Sequence, residues 1–139
     1  MSPTLLDTHA LIWLLSGNSR LGQQSRSLIQ QAAQESVLLV SAITPWEIAM
    51  LVNKGRLALD RDVGEWVEAA LALPGIRLEP LSPAVAVAST RLPGTLHADP
   101  ADRMIAATAR HVGAVLVTED QQLLAYSEAG YLRTLRATT

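Results

Sequence analysis

The sequence predicts an α/β fold, a central and mainly parallel sheet of four to five strands flanked by helices. Short apolar runs alternate with longer stretches of helical periodicity along the whole chain. The runs end at acidic or small polar residues, as buried parallel strands do where they leave the sheet. With 139 residues, 49% apolar and 17% charged, the chain can bury one core but not two, so residues 1–139 read as a single domain.

Leu5-Leu6 is the buried end of a first strand, and at Asp7 the chain enters a helix through Ile12, Trp13 and Leu15 that Gly17-Asn18 stops. A second helix covers Leu21 to Ala33, and the apolar run Val37 to Ser41 forms a central strand. Thr44-Pro45-Trp46-Glu47 starts a third helix that ends near Gly55, a good left-handed C′ residue. Asp62 to Leu73 is a fourth, closed by Pro74-Gly75, and Leu81-Ser82-Pro83 opens a short alanine-rich one. After a loop over 92–98, a helix spans Pro100 to Val112. Ala114 to Val117 is the next strand, Thr118 begins another helix, and Leu132 to Leu135 makes a last edge strand.

Several function classes fall away at once. There is no cysteine, so any metal is held by oxygen or imidazole. No Gly-x-Gly-x-x-Gly or P-loop follows a strand, which argues against a nucleotide cofactor. The N-terminus lacks a basic leader, and the apolar stretch Ala10 to Leu15 is too short to span a bilayer, so the expected location is cytoplasmic. A net charge of −2 speaks against a polybasic nucleic-acid binder unless a bound cation supplies local positive charge.

The acids need a closer look, because three of them sit where helix starts favour negative charge. Thr44-x-x-Glu47 has the form of a capping box, Asp99 suits an N-cap before Pro100, and Thr118-x-x-Gln121 completes a cap pair without Asp120. Helix register argues for more than capping. Asp102 shares a face with Ile105, Ala106 and Ala109; Asp120 with Leu123 and Leu124; Glu47 with Met50 and Leu51; and Asp7 directly ends a buried strand. Carboxylates turned inwards together are protonated, paired with cations or gathered around a metal. Beyond the carboxyl ends of the strands of an open α/β sheet, such residues converge on one crevice. An all-oxygen cluster of this kind suits Mg²⁺ or Mn²⁺.

These segments resemble the four motifs of the PIN-domain family, in particular the VapC-type toxins of bacterial toxin–antitoxin pairs. Leu5-Leu6-Asp7-Thr8-His9-Ala10 is similar to the first motif, and Ser41-Ala42-Ile43-Thr44-Pro45-Trp46-Glu47 to the second. Asp99-Pro100-Ala101-Asp102-Arg103-Met104-Ile105-Ala106-Ala107 resembles the third, and Val117-Thr118-Glu119-Asp120 the fourth. The resemblance covers essentially the whole chain. It implies a three-layer, Rossmann-like PIN fold, Mg²⁺- or Mn²⁺-dependent endonucleolytic cleavage of RNA, homodimerisation and neutralisation by a VapB-type antitoxin. Asp7, Glu47, Asp102 and Asp120 are then catalytic acids and metal ligands.

Around them, Thr118, Ser41 and Thr8 are candidates to hydrogen-bond the carboxylates or water. Asp99 is explained as a cap and is an additional candidate ligand. Arg103, Lys54 and Arg56 are candidate RNA contacts. His9 and His97 read as solvent-facing or structural, since register turns His9 away from Asp7 and His97 lies in a loop. Trp13 and Trp46 read as core or dimer contacts. Two rival readings are a haloacid-dehalogenase-like phosphohydrolase, which wants a second aspartate where His9 stands, and a PIN domain that only binds a partner, which would have lost an acid.

Overall fold

The computed structural model describes residues 2–139. Five strands make one fully parallel sheet: β1 (Thr4–Leu6), β2 (Leu38–Ser41), β3 (Ile76–Glu79), β4 (Val115–Thr118) and β5 (Arg133–Arg136), in the order β3-β2-β1-β4-β5. The chain starts at the centre, builds outwards through β2 and β3, then returns to the other side of β1 for β4 and β5. The reversal between β1 and β4 opens a crevice at the carboxyl ends of those two strands.

Seven helices cover the sheet: α1 (Thr8–Ser16), α2 (Gln23–Gln34), α3 (Ile43–Asn53), α4 (Val63–Leu71), α5 (Pro83–Ser89), α6 (Pro100–Val112) and α7 (Gln121–Glu128). Strand alternation assigns the two faces. Leu6, Leu38, Val40 and Val117 pack against α1, α2, Ile48 of α3 and the apolar side of α4. Leu5, Leu39 and Leu116 pack against Ile105, Ala106 and Ala109 of α6 and Leu123 and Tyr126 of α7. With both faces covered, the central strands are apolar throughout, as the sequence indicated.

The expected strands and helices are present, with ends shifted by one to three residues, and one strand is additional. β3 carries Ile76-Arg77-Leu78-Glu79 at the sheet edge, where Leu78 is 49% exposed. Its burial is too slight to produce an apolar run. At the other end of the chain, residues 137–139 seat on the start of α2: Gly22 N–H donates to the Ala137 carbonyl and Gln24 N–H to the Thr139 oxygen, each at 2.9 Å.

Gly75 leads into β3 with φ +86, and a Cβ there would lie 2.4 Å from the Ala33 carbonyl oxygen. Gly113, the αL cap of α6, also has positive φ but open space around it. Gly113→Ala should therefore cost only the left-handed backbone, about 1 kcal/mol. Gly75→Ala must also push backbone aside and should cost about 1–3 kcal/mol more. Urea unfolding midpoints of the two variants measure the gap, and equal losses would contradict this packing.

Candidate active site

Asp7 follows β1 directly, and its backbone N–H continues the sheet by donating to the Val117 carbonyl at 3.0 Å. It is the N-cap of α1. One oxygen, Oδ1, accepts from Thr8 N–H at 2.7 Å; the other, Oδ2, accepts from the Thr118 hydroxyl at 2.6 Å. Only 6% of the residue is exposed. The Thr118 hydroxyl also accepts from Asp120 N–H at 3.0 Å, so one side chain at the end of β4 links the Asp7 carboxylate to the backbone of Asp120.

Glu47 projects from α3, and its Oε1 accepts from the Thr8 hydroxyl. That hydroxyl also lies 3.2 Å from Thr44 Oγ1. The expected capping box at Thr44-x-x-Glu47 is therefore not formed. α3 begins at Ile43 without a side-chain cap on its first turn, and both side chains of the pattern turn towards Thr8. Ser41, expected near the carboxylates, instead accepts the Ile43 N–H at 3.2 Å and serves the β2–α3 turn.

The cap pair expected at Thr118-x-x-Gln121 is not formed either. Asp120 itself caps α7, with Oδ1 accepting from Gln122 N–H at 2.9 Å and Leu123 N–H at 3.0 Å. Thr118 faces Asp7 because β4 runs to residue 118 and the helix begins only at Gln121. Asp99 caps α6 as the sequence indicated, accepting from Asp102 N–H at 3.0 Å. Asp102, one turn into that helix, faces the other acids, with His97 Nε2 lying 2.9 Å from its Oδ2.

Asp7, Glu47, Asp99, Asp102 and Asp120 line one cleft of about 550 Å³. Thr8 and Thr118 lie beneath them as hydrogen-bond donors. Of the expected substrate contacts, Arg56 lines this cleft and Lys54 does not. Arg103 turns away: its Nε donates to the Ser89 carbonyl at 2.8 Å, and Nη1 donates to the Leu96 carbonyl at 2.9 Å and the His97 carbonyl at 3.4 Å. Its expected exposed role is replaced by a structural one, since the loop over residues 92–98 brings its carbonyls within reach.

Three features of the cleft escaped the sequence reading. His97, read as solvent-facing or structural, is not solvent-facing: it reaches the acids at Asp102. His9 is exposed, yet it lines the same cleft. Arg20 also lines it, with its guanidinium carbon 4.6 Å from the centre of the Trp13 ring, and Trp13 is buried. Outside the cleft, Trp46 is 56% exposed, which removes the core alternative of its reading as a core or dimer contact. Only the His97-x-Asp99-Pro100-x-Asp102 spacing hinted at the histidine, and a loop has no periodicity by which to orient it.

The electrostatics follow from this crowding. Burial pushes the Asp7 carboxyl up, against the hydroxyl of Thr118 and the N–H of Thr8 that hold it down. Burial also raises Glu47, with the charges of Asp7 and Asp99 adding to it and the Thr8 hydroxyl opposing. Asp102 is pushed up to about 8, first by burial and then by the charges of Asp120, Asp7, Asp99 and Glu47. Among the described residues no Lys or Arg nitrogen lies within 4.0 Å of these five carboxylates.

The donor set therefore fits a divalent ion: carboxylate oxygens gathered without compensating cations, and a buried imidazole nitrogen, His97 Nε2, with no hydrogen-bond partner. One nitrogen of His97 and one oxygen each from Asp102 and Asp120 lie within 4.8 Å of one another.

A stability profile tests the crowding. In the folded protein Asp102 keeps its proton up to about pH 8, whereas the unfolded chain releases it near 3.8. Between these values the unfolded state binds fewer protons, so metal-free stability falls as pH rises from about 4 to about 8. In chelator, the melting temperature should drop across this window, and Asp102→Asn should flatten the drop and melt above wild type at pH 8. A flat wild-type profile would count against the arrangement.

Residues 4–129 match the PIN domain family. Over 123 residues the chain is 34% identical to Ribonuclease VapC22 of Mycobacterium tuberculosis (strain ATCC 25618 / H37Rv), covering 88% of this chain and 91% of that one. Among solved structures, VapBC2 from Rickettsia felis bound to a DNA fragment from its promoter aligns with TM-score 0.69 at 15% identity, over 95% of this chain and 96% of that one. DNA-bound VapBC from Salmonella typhimurium aligns with TM-score 0.69 at 20% identity, over 97% and 98%. At such identities the structural matches speak to the fold alone. The sequence match runs nearly the length of the sheet and takes in all four acidic segments, so the chain belongs to the PIN-domain family.

Proposed function

We propose that this protein is a divalent-metal-dependent endoribonuclease, the toxin of a toxin–antitoxin pair that a VapB-type antitoxin neutralises. The carrying observation is the convergence of Asp7, Glu47, Asp102 and Asp120 on one open cleft, with no Lys or Arg nitrogen within 4.0 Å of them among the described residues. The 34% identity to a named ribonuclease over most of both chains supports the same reading. The ion would be Mg²⁺ or Mn²⁺, held chiefly by Asp7, Glu47 and Asp102, with Asp120 binding a second ion or orienting water. Residues 1–139 act as one domain, as a homodimer in the cytoplasm; no helix among the described residues is long and apolar enough to cross a membrane.

When bound, such an ion supplies Lewis acidity toward a phosphoryl oxygen and makes water acidic enough to lose a proton near neutral pH. The protein's own groups do the positioning. Thr8 and Thr118 fix the orientations of Glu47 and Asp7 through their hydroxyls. Asp120 spends only Oδ1 on its helix, which leaves Oδ2 to accept a proton from the attacking water. Water attacks phosphorus in line, the P–O bond opposite it breaks, and the departing oxygen takes up a proton. Arg20 and Arg56 on the cleft wall hold the phosphates on either side. A haloacid-dehalogenase-like route lacks its second aspartate, because His9 stands there.

Asp7→Asn keeps an acceptor for the Thr8 N–H, so it should fold as wild type does. RNA cleavage in Mg²⁺ or Mn²⁺ should nevertheless fall by at least about 100-fold, and wild-type cleavage should stop in chelator. Retained cleavage by nuclease-free Asp7→Asn protein overturns the proposal. In that inactive background, Arg20→Ala or Arg56→Ala should weaken RNA binding at every sequence and lower the salt dependence of log Kd by roughly 0.7 per lost phosphate contact on single strands. Unchanged salt slopes in both variants would remove the two arginines from the interface.

A further inference from the structure

We infer that His97 is a ligand of the metal in this cleft, through Nε2 beside Asp102, and that its nitrogen tilts the site towards Mn²⁺ over Mg²⁺. This rests on the reading of the cleft as a metal centre and adds an imidazole to a set otherwise made of oxygens.

The geometry is that of two neighbouring donors on one ion. Donor atoms at right angles around an ion at about 2.1 Å stand roughly 3.0 Å apart, and opposite donors roughly 4.2 Å. His97 Nε2 and Asp102 Oδ2 are 2.9 Å apart, and both share a 4.8 Å neighbourhood with an oxygen of Asp120. At that distance a histidine and a carboxylate would ordinarily form a hydrogen bond. Yet Nε2 is buried and makes no hydrogen bond, so the contact with the Asp102 oxygen is short without being one. A lone pair turned to a shared ion would leave just such a short contact without a hydrogen bond.

The loop that carries His97 is held for this placement. Arg103, next to Asp102 on α6, donates to the carbonyls of Leu96 and His97, and the Tyr126 hydroxyl donates to the Pro93 carbonyl. One turn of α6 thus supplies the carboxylate and anchors the segment bearing the nitrogen. Imidazole is a poor donor for Mg²⁺ and a better one for first-row transition ions, so the mixed set favours Mn²⁺ among the two ions considered.

The test uses the full chain loaded with Mn²⁺. Electron spin-echo modulation of bound Mn²⁺ should show a directly coordinated ¹⁴N in wild type and in His9→Gln, and none in His97→Gln that still binds the ion. The Mn²⁺ Kd of His97→Gln should rise about tenfold, while the Mg²⁺ Kd measured by competition changes less than threefold. Bound Mn²⁺ without ¹⁴N coupling in wild type overturns the inference and leaves the ribonuclease reading standing. So does coupling that survives His97→Gln, or an equal loss for both ions. Wild type that binds no Mn²⁺ at all overturns both. The wild-type spectrum needs no variant, so a poorly folding His97→Gln does not remove the test.

Discussion

The structure depends on a carboxylate, Asp7, placed where the central strand of the sheet ends and water hardly reaches. A buried carboxylate is costly without hydrogen-bond donors, and here Thr8 and Thr118 each give it one from a different neighbouring element. Those two threonines then reach the next acids, Thr8 through its hydroxyl to Glu47 and Thr118 through the Asp120 backbone. The strand order makes this possible. β1 and β4 are adjacent and parallel, so their carboxyl ends deliver Asp7 and Thr118 to the same point.

Capping and site-building had looked like competing explanations of these acids, and they are not. A carboxylate has two oxygens with about four lone-pair directions. Asp120 uses one oxygen for two helix N–H groups and keeps the other, while Asp99 uses one for Asp102 N–H. Three helices, α1, α6 and α7, accordingly begin at acids that line the cleft. Each helix start carries partial positive charge. Those three ends ease the repulsion among the acids where no Lys or Arg is in contact with them.

What the sequence made legible, and what it hid, follows from how each feature is stabilised. Buried parallel strands are continuous apolar runs, so β1, β2 and β4 stand out, and helix register correctly turns Asp102 towards the other acids. β3 does not stand out because an edge strand with an exposed Leu78 has no such run. The boxes at Thr44 and Thr118 misled because their local pattern is sound; tertiary hydrogen bonds with Thr8 and Asp7 outcompete the helix N–H groups for those side chains. Arg103, Arg20 and His97 were out of reach for a different reason. Their positions are decided by loops and by contacts across the fold, and no period in the chain encodes them.

The same reasoning explains why the centre sits at the least self-sufficient place in the molecule. Elsewhere the core is held by apolar contacts: leucines fill both faces of the sheet and the αL glycines close α1 and α6. In the cleft, desolvation and mutual repulsion both act against the ionised forms of Asp7, Glu47 and Asp102. A fold selected for stability alone would replace such acids by uncharged groups of similar size, since buried charge without a partner is among the costlier things a core can hold. Their retention together, braced by threonine hydroxyls and helix starts instead of by lysine or arginine, leaves the missing positive charge to be supplied by something that binds. A basic residue placed among the acids would relieve the strain and also fill the position a cation needs.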